Sequence, residues 1–516
     1  MKRIHLIGAA IVMVILIVLF VYPGRGSRPD YPLVYHYQSE SDPYANVSTA
    51  ACQQDLDVYV RLIDEVHGDP YSFVPEEAFR AKAAEMKARV AAMGVDSIQL
   101  VDCYFYLQEL AAVMQDEHTD ISILSGWWDA MPSAFPIRVK IVDGVFYAAE
   151  DLSGSGIPSY AELVSIDEVP LSAVLAEIMP YQNNTLHHYK LQAIEEEFHF
   201  WLQARSRLEA PWDVEYVSDG ELRSVRVEGI DRQEFRERTE HEEGYSAYSL
   251  DVEGVTVPVL DIPRFWYPDK AGYQSFMDSF FIAHAEDPYL VIDARRNPGG
   301  DGRWGFYVLD YLTDAEYETM KRFTHRVSEP YKAVRRYYIR DEYYRRGIPL
   351  VLSFPPVYRW LGDYGWRKEA EEILSADVGT YLELGGDPWD RDEGKRTFEG
   401  ETFLLTSHYT NSAAVVFAAA FKYNKMGTIV GRETGGRESF MSDPIFIELP
   451  GTTLRAKIPV AILELVGDNP SRGVLPDVEV EYLIEDYVAG RDRDLDAVRD
   501  LVLFSLQGRT GGPGGV

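Results

Sequence analysis

From about residue 255 onward, the sequence alternates short apolar runs with longer stretches of helical spacing. Three of the apolar runs, residues 289–293, 403–406 and 428–431, have the length and composition of buried strands. Strands that alternate with helices are typical of an α/β domain. We therefore predict an α/β domain over residues 231–507. It is interrupted at 313–397 by an insertion rich in Tyr, Arg and Trp, which we expect to be largely helical.

The region before the α/β domain shows a different pattern. In residues 31–125, apolar side chains recur at helical spacing, and Pro75 and Gly94 have the placement of residues that begin and end a helix. This pattern predicts a helical N-terminal domain.

In residues 126–230 the sequence pattern changes to short β-like runs, such as 137–141 and 162–166. This pattern predicts a small β-rich module. The chain is therefore expected to be an α+β multidomain protein. Its Gly-rich end, residues 508–516, is expected to be disordered.

The first residues predict a membrane anchor. Residues 4–22 are apolar apart from His5, which is roughly the ~20 residues that a bilayer-spanning helix needs. The two basic residues before this run hold the N-terminus inside. A Pro-, Gly- and Arg-containing stalk follows, without a small-x-small cleavage site. We predict that residues 1–30 form a signal anchor and stalk, with one ectodomain outside the cytoplasm; secretion after signal cleavage is the alternative.

Composition excludes some classes of function. The chain has 83 acidic and 50 basic side chains, a formal charge of −33, which repels the phosphates of nucleic acids. Cys52 and Cys103 are too few and too far apart for a zinc site, and His187 and His188 lack partners at metal spacing. We expect no metal and no cofactor. The two cysteines form either one disulfide or two buried thiols.

Two segments carry the residue types of acyl-transfer chemistry. In the first, Gly299 and Gly300 follow a predicted strand, and their backbone N–H groups are open to an anion. In the second, Ser412 lies where a helix begins, so that free N–H groups surround its hydroxyl. We predict Ser412 as a nucleophile, with an oxyanion hole from Gly299, Gly300 and Ala413. The alternative is an ordinary serine at a helix N-terminus.

Four segments of the chain, in order, resemble motifs of the tail-specific (C-terminal-processing) protease family. The segments are Val291-Ile292-Asp293-x-Arg295-x-Asn297-Pro298-Gly299-Gly300, Thr410-x-Ser412-Ala413-Ala414, Ile429-Val430-Gly431-x-x-Thr434-x-Gly436 and Gly473-Val474-x-Pro476-Asp477. Asp116-x-His118-Thr119 is similar to an element of the branches of this family that use histidine. The resemblance implies a crotonase/ClpP-like α/β catalytic domain, a helical N-terminal domain and a PDZ-like module.

The general base separates the branches of this family. Ser-Lys relatives carry a lysine after the Ile-Val-Gly strand, where this chain has Arg437, and an arginine is not deprotonated in a protein. The resemblance to the tricorn-like branch therefore implies His118 as the base, with His408 as the main rival. For the acid that orients the imidazole, Asp468 and Glu464 are the candidates near the position where relatives have a glutamate.

We therefore expect a membrane-anchored serine endopeptidase that cleaves polypeptide substrates outside the cytoplasm, with no prediction of oligomeric state. A second hypothesis is a catalytically inactive relative whose cleft binds hydrophobic peptides or lipids. A lipase-like α/β-hydrolase is disfavoured because the chain has no G-x-S-x-G nucleophile elbow.

Overall fold

The computed structural model describes residues 33–34, 42–122, 133–239, 244–345 and 365–510. The predicted anchor and stalk at residues 1–30 therefore lie outside the described residues, as does the tail beyond 510. A search of the described helices finds none with the length and hydrophobicity that a membrane span requires.

The N-terminal part is helical, as predicted. Its helices are Thr49–Val66, Glu76–Ala92 and Leu100–Ala112, and a short antiparallel pair, Asn46–Ser48 with Ser97–Gln99, lies beside them. Cys52 and Cys103 form a disulfide between the first and third helices, which decides between the two alternatives left open by the sequence.

The next part is built on a six-stranded antiparallel sheet, which we call the module sheet. From edge to edge its strands are Glu221–Val227, Trp212–Ser218, Glu162–Ile166, Val145–Asp151 and Ile137–Val142, with Val169–Pro170 paired to Glu162–Ile166. Helices Leu171–Ile178, His187–Glu196, Phe198–Ala204 and Arg232–Thr239 and the 3₁₀ turn Met179–Tyr181 accompany it. Both β-like runs predicted from the sequence are strands of this sheet.

A second six-stranded sheet, the central sheet, contains the three strands predicted for the α/β domain. Its order is Ser246–Val252, Val255–Asp261, Tyr289–Asp293, Glu401–Thr406, Thr428–Gly431 and Val478–Glu479. All neighbours are parallel except the first pair, which is an antiparallel hairpin. The parallel strands place their carboxyl ends at one edge, where ligand sites of α/β sheets form.

Both faces of the central sheet are covered, which explains the continuous apolar character of its strands. Helices Lys270–Ala283, Gly302–Leu309 and Ala413–Tyr423 pack on one face, and Ala413 to Phe421 are all buried there. Helix Arg493–Thr510 covers the other face through Leu495, Val498 and Val502, and Ile484–Val488 precedes it. This helix includes residues 508–510, which we had expected to belong to the disordered tail.

A third sheet, the outer sheet, connects distant parts of the chain. Its order is Leu33–Val34, Ser439–Glu448, Arg455–Leu465, Met320–Arg326 and Tyr381–Gly385, and Asp120–Ile121 pairs antiparallel with Arg455–Leu465. Two of these strands lie within residues 313–397, so the prediction of a largely helical insertion was wrong in part. Helices Glu329–Arg345 and Gly365–Ser375 also lie there.

Candidate active site

Two turns at the carboxyl edge of the central sheet are joined by hydrogen bonds. The strands before them, Tyr289–Asp293 and Glu401–Thr406, are direct neighbours. The backbone N–H of Asn411 donates to Asn297 O at 3.0 Å, and the Thr410 hydroxyl donates to Ala294 O at 2.9 Å. These bonds hold the turn with the two glycines against the turn with Ser412.

The backbone of Ser412 is strained. Its φ and ψ are 51° and −119°, outside the regions that non-glycine residues ordinarily occupy. Ser412 is the N-cap residue of helix Ala413–Tyr423, yet its side chain makes no capping hydrogen bond. The hydroxyl is thus available for another partner, unlike that of an ordinary N-cap serine.

The two glycines predicted for the oxyanion hole differ in what their amides do. The N–H of Gly299 donates to Asn297 Oδ1 at 2.8 Å, so this group is occupied, contrary to the prediction. Within the described ranges, no acceptor is found for the N–H of Gly300 or of Ala413. A Cβ built on Gly299 would lie 2.8 Å from both Ala413 N and Ser412 Cβ, so the two turns are in close contact here.

His118 and Ser412 come together although 294 residues separate them. His118 Nε2 lies 3.3 Å from Ser412 Oγ. Asp120–Ile121, just beyond the histidine, pairs with strand Arg455–Leu465, and the imidazole stacks on Phe440 of the neighbouring strand at 5.7 Å between ring centroids. Pairing of a short segment onto the outer sheet thus delivers the N-terminal histidine to the central sheet.

The environment of His118 keeps its imidazole neutral. Burial, together with the positive charge of Lys457, lowers the pKa of His118 to about 3. The Lys457 ammonium donates to the carbonyl oxygen of Glu117 at 3.2 Å. A neutral imidazole is the form that accepts a proton from a serine hydroxyl.

Two carboxylates lie near the other nitrogen of the imidazole. His118 Nδ1 is 3.9 Å from Asp116 Oδ1 and 4.0 Å from Glu117 Oε1, too long for hydrogen bonds but within ion-pair distance for a protonated imidazole. All three atoms are buried without a hydrogen-bond partner. The other oxygen of each carboxylate accepts a hydrogen bond. Asp116 Oδ2 accepts from the Thr119 hydroxyl, and Glu117 Oε2 accepts from Asn184 Nδ2 at 2.7 Å.

The acids predicted from the sequence lie elsewhere. Asp468 is 92% exposed and pairs with Lys321 at 3.3 Å, and Glu464 pairs with Arg322. Neither is among the carboxylates within 4.0 Å of His118 Nδ1, so both assignments are corrected. The sequence analysis did not consider Glu117, which directly precedes His118. Its position next to the proposed base is the one sequence signal that could have identified it.

His408, the rival base, and Arg437, which stands where Ser-Lys relatives have their lysine, both have other partners. His408 stacks on His188 of the module at 4.1 Å between ring centroids, and burial next to that histidine lowers the pKa of His408 to about 2. The Arg437 guanidinium donates to Gln115 O at 2.9 Å and lies 3.6 Å from the centre of the Phe73 ring. Arg437 therefore anchors the segment that carries His118. Across the described parts of the chain, no cluster of three or more potential metal ligands is found.

Residues 256–480 match the sequence profile of Peptidase family S41. Over 108 residues, the chain is 29% identical to a tricorn-like protease C-terminal subunit of Sulfurisphaera tokodaii, an alignment that covers 21% of this chain and 13% of that relative. The chain thus spans about an eighth of the length of that curated relative.

Two solved structures share the fold over most of the chain. A serine-to-alanine mutant of CPAF superposes with a TM-score of 0.66 at 16% identity, covering 91% of this chain and 99% of that chain. Mature CPAF complexed with lactacystin gives a TM-score of 0.64 at 17% identity, covering 88% and 98%. At such identities, the likeness concerns the fold alone.

Proposed function

We propose that this chain, whose residues 256–480 match the sequence profile of Peptidase family S41, is a serine-type peptidase with Ser412 as its nucleophile and His118 as its general base. The observation that carries the proposal is the 3.3 Å contact between Ser412 Oγ and His118 Nε2, made by a serine with a strained backbone and no capping bond. Strain of this kind clusters at functional sites.

The arrangement supports cleavage of a peptide bond in two steps. Ser412 Oγ attacks the scissile carbonyl carbon while His118 Nε2 takes the hydroxyl proton, and the proton then passes to the leaving amine. The oxyanion of the tetrahedral intermediate accepts hydrogen bonds from the N–H groups of Gly300 and Ala413. Water then attacks the acyl-enzyme, with His118 again as base, and releases the second product.

We assign the role of orienting acid to Glu117, supported by Asp116. When His118 takes the proton, its imidazolium faces two buried carboxylates at 3.9 and 4.0 Å. In that low-dielectric environment, an anion beside the imidazolium stabilises it far more than it would in water. Hydrogen bonds of catalytic groups are often long before substrate binds, so these distances are compatible with the role.

Covalent labelling tests the proposal. A fluorophosphonate probe is expected to label the full-length chain, and Ser412→Ala and His118→Ala should each abolish labelling, because members of one catalytic unit fail together. His408→Ala serves as the control for the rival histidine and should retain labelling. A folded wild-type chain that takes no label would instead support the inactive, ligand-binding alternative.

We further propose that the peptidase acts on polypeptides outside the cytoplasm from a membrane anchor. The apolar run at residues 4–22 supports an anchor, and the Cys52–Cys103 disulfide is of a kind that persists in oxidising compartments. The full-length protein is expected in the membrane fraction, with its ectodomain accessible to protease added outside the cell. A soluble protein that begins near Arg25 would support signal cleavage instead.

A further inference from the structure

A cavity of about 730 Å³ opens between the module sheet and the carboxyl edge of the central sheet. Its wall includes Pro298 and Tyr409, which belong to the two turns of the active site. Pro298 precedes Gly299, and a Cβ on Gly299 would lie 2.8 Å from Ser412 Cβ. The cavity therefore begins beside the turn that carries the proposed nucleophile, although neither Ser412 nor His118 lines it.

The lining is basic, in contrast to the whole chain with its formal charge of −33. Six arginines and lysines line the cavity against three carboxylates. Most of these cations have acidic neighbours: Arg295 pairs with Asp293 at 2.6 Å, and Lys140 pairs with Glu195 at 2.7 Å. A lining cation that makes no ion pair is available to bind an anionic ligand.

Arg432 is such a cation. Its Nε is buried without a hydrogen-bond acceptor, and its guanidinium makes no ion pair within 4 Å among the described residues, although the charges of Glu195 and Asp494 act on it from farther away. The contact that it does make is with an aromatic ring, since its Cζ lies 5.3 Å from the centre of the Tyr482 ring. A guanidinium stacked on a ring keeps its N–H edge free to bind a carboxylate in bidentate geometry.

The backbone of Arg432 is hydrogen-bonded to the end of strand Glu401–Thr406, which leads into the turn with Ser412. Arg432 N donates to Thr406 O at 3.0 Å, and the Thr406 hydroxyl donates to Arg432 O at 2.8 Å. Arg432 thus holds a defined position relative to Ser412, as a specificity-determining residue requires.

We propose that this cavity is a subsite for an acidic segment of the polypeptide substrate, with Arg432 as the residue that binds a substrate Asp or Glu side chain. The inference rests on the proposed function, because the occupant is the chain cleaved at Ser412. A substrate that crosses the nucleophile continues past Pro298 and Tyr409 into the cavity, where a negative side chain meets several positive groups in a partly dehydrated space.

Paired peptides test the subsite. Internally quenched peptides with Glu at each position up to four residues from the scissile bond are compared with peptides that carry Gln instead, on the full-length chain. We expect about tenfold higher kcat/KM for the Glu peptide, a preference that falls as salt is raised. In Arg432→Gln the ratio of the two kcat/KM values should fall to about one, and in Arg432→Lys part of the preference should remain.

The control is Arg226→Gln, which removes an exposed arginine of the module sheet that pairs with Asp213, and the Glu preference should persist there. Equal rates for both peptides in the wild type, or a preference that survives Arg432→Gln, would overturn the proposal. A preference that disappears when the peptide's C-terminus is amidated would also overturn it, since the ligand is then the terminal carboxylate.

Direct binding separates this inference from the proposed function. Fluorescence anisotropy of the same two peptides on the Ser412→Ala chain needs no turnover, and about tenfold tighter binding of the Glu peptide supports the subsite. If the wild type neither cleaves nor takes the fluorophosphonate label, the proposed function fails, while the binding preference still decides the subsite.

Discussion

Glu117 and Asp116 set two buried carboxylates beside a histidine that burial keeps neutral. Burial and the negative charge of Asp116 raise the pKa of Glu117 to about 7, although the positive charge of Arg437 opposes them. Tyr189 and Lys457 also face this group, from the module and from the outer sheet. With the pKa of His118 at about 3, the base itself does not titrate near neutral pH, whereas Glu117 beside it does.

The pH profile of kcat/KM should therefore rise through about pH 7. Below this pH, Glu117 is protonated and uncharged; above it, the carboxylate is negative and stabilises the imidazolium formed as Ser412 attacks. Glu117→Gln is expected to remove the rise and to lower kcat/KM at pH 8 by roughly tenfold, the equivalent of one pKa unit of lost interaction. Glu464→Gln, which removes one of the acids predicted from the sequence, is the control. An unchanged profile in Glu117→Gln would assign the rise to another group.

The contact of Gly299 with the nucleophile turn yields a second prediction. An alanine at Gly299 would place its Cβ 2.8 Å from Ser412 Cβ and 2.7 Å from Asn411 O, at a φ of 103°. We expect Gly299→Ala to lower kcat by roughly 10²-fold or more, comparable to the loss of an oxyanion donor.

Gly254→Ala is the matched control for the backbone strain. Gly254 has a φ of 81°, and a Cβ there would have nothing within 4 Å. It should lose stability from the positive φ, seen as a lower Tm, and retain kcat. A similar kcat for both variants would show that the contact at Gly299 does not position Ser412.

At the scale of elements, the module reaches the active site through one loop and one helix. Asn184, before helix His187–Glu196, donates to Glu117 Oε2 at 2.7 Å, and Tyr189 on that helix accepts from Asn411 Nδ2 at 2.8 Å. His188 Nε2 lies 3.1 Å from Thr434 O. The module thus contacts the acid, the nucleophile turn and the neighbouring loop at once.

Asn184→Ala tests whether the hydrogen bond from Asn184 lowers the pKa of Glu117. Removal of a donor from a buried carboxylate raises its pKa further, because the charged form loses its hydrogen bond. The rise of kcat/KM should move to higher pH, so that activity at pH 7 falls while activity at high pH is retained. The control is Asn183→Ala, since Asn183 donates to Thr119 O at 3.1 Å and not to Glu117. Identical profiles for the two variants would remove Asn184 from the catalytic unit.

For the whole molecule, the helical N-terminal part must stay attached to the sheets for His118 to be delivered. Asp55 of helix Thr49–Val66 accepts the N–H groups of Gly451 and Thr452 at 2.8 and 2.7 Å. The Cys52–Cys103 disulfide ties that helix to Leu100–Ala112, which leads to Asp116 and His118.

The double variant Cys52→Ser with Cys103→Ser should lower the free energy of unfolding by about 4 kcal/mol, the loop-entropy value for a sequence separation of 51. Urea unfolding of wild type and variant, each with and without a reducing agent, measures the difference. Reduction should destabilise the wild type and leave the variant unchanged. A wild type that is insensitive to reduction would show that the bond does not contribute to stability.

The strands and turns that a local sequence pattern determines were predicted from the sequence. Strand Tyr289–Asp293 was recognised because its residues are all apolar up to Asp293, and the two turns because Gly299, Gly300 and Ser412 are residue types with specific backbone uses. Strands Met320–Arg326 and Tyr381–Gly385 were missed because they carry charged and exposed residues and depend on pairing with each other and with Arg455–Leu465 in the outer sheet.

The pairing of His118 with Ser412 was expected from the resemblance alone, because no local pattern reports a contact across 294 residues. The orienting acid was sought near Glu464 and Asp468, where relatives carry it. The actual neighbours of His118 depend on the path of the chain after helix Leu100–Ala112, which spacing does not reveal.

The pairing of Asp120–Ile121 with Arg455–Leu465 has a consequence for the order of synthesis. The ribosome makes the proposed base, His118, early and the proposed nucleophile, Ser412, some 294 residues later, but the strand that holds His118 in place is made later still. A nascent chain that has passed Ser412 and not yet reached Arg455 holds both reactive side chains and lacks the element that brings them together. The proposed base and nucleophile are therefore brought together only after Arg455–Leu465 has been made.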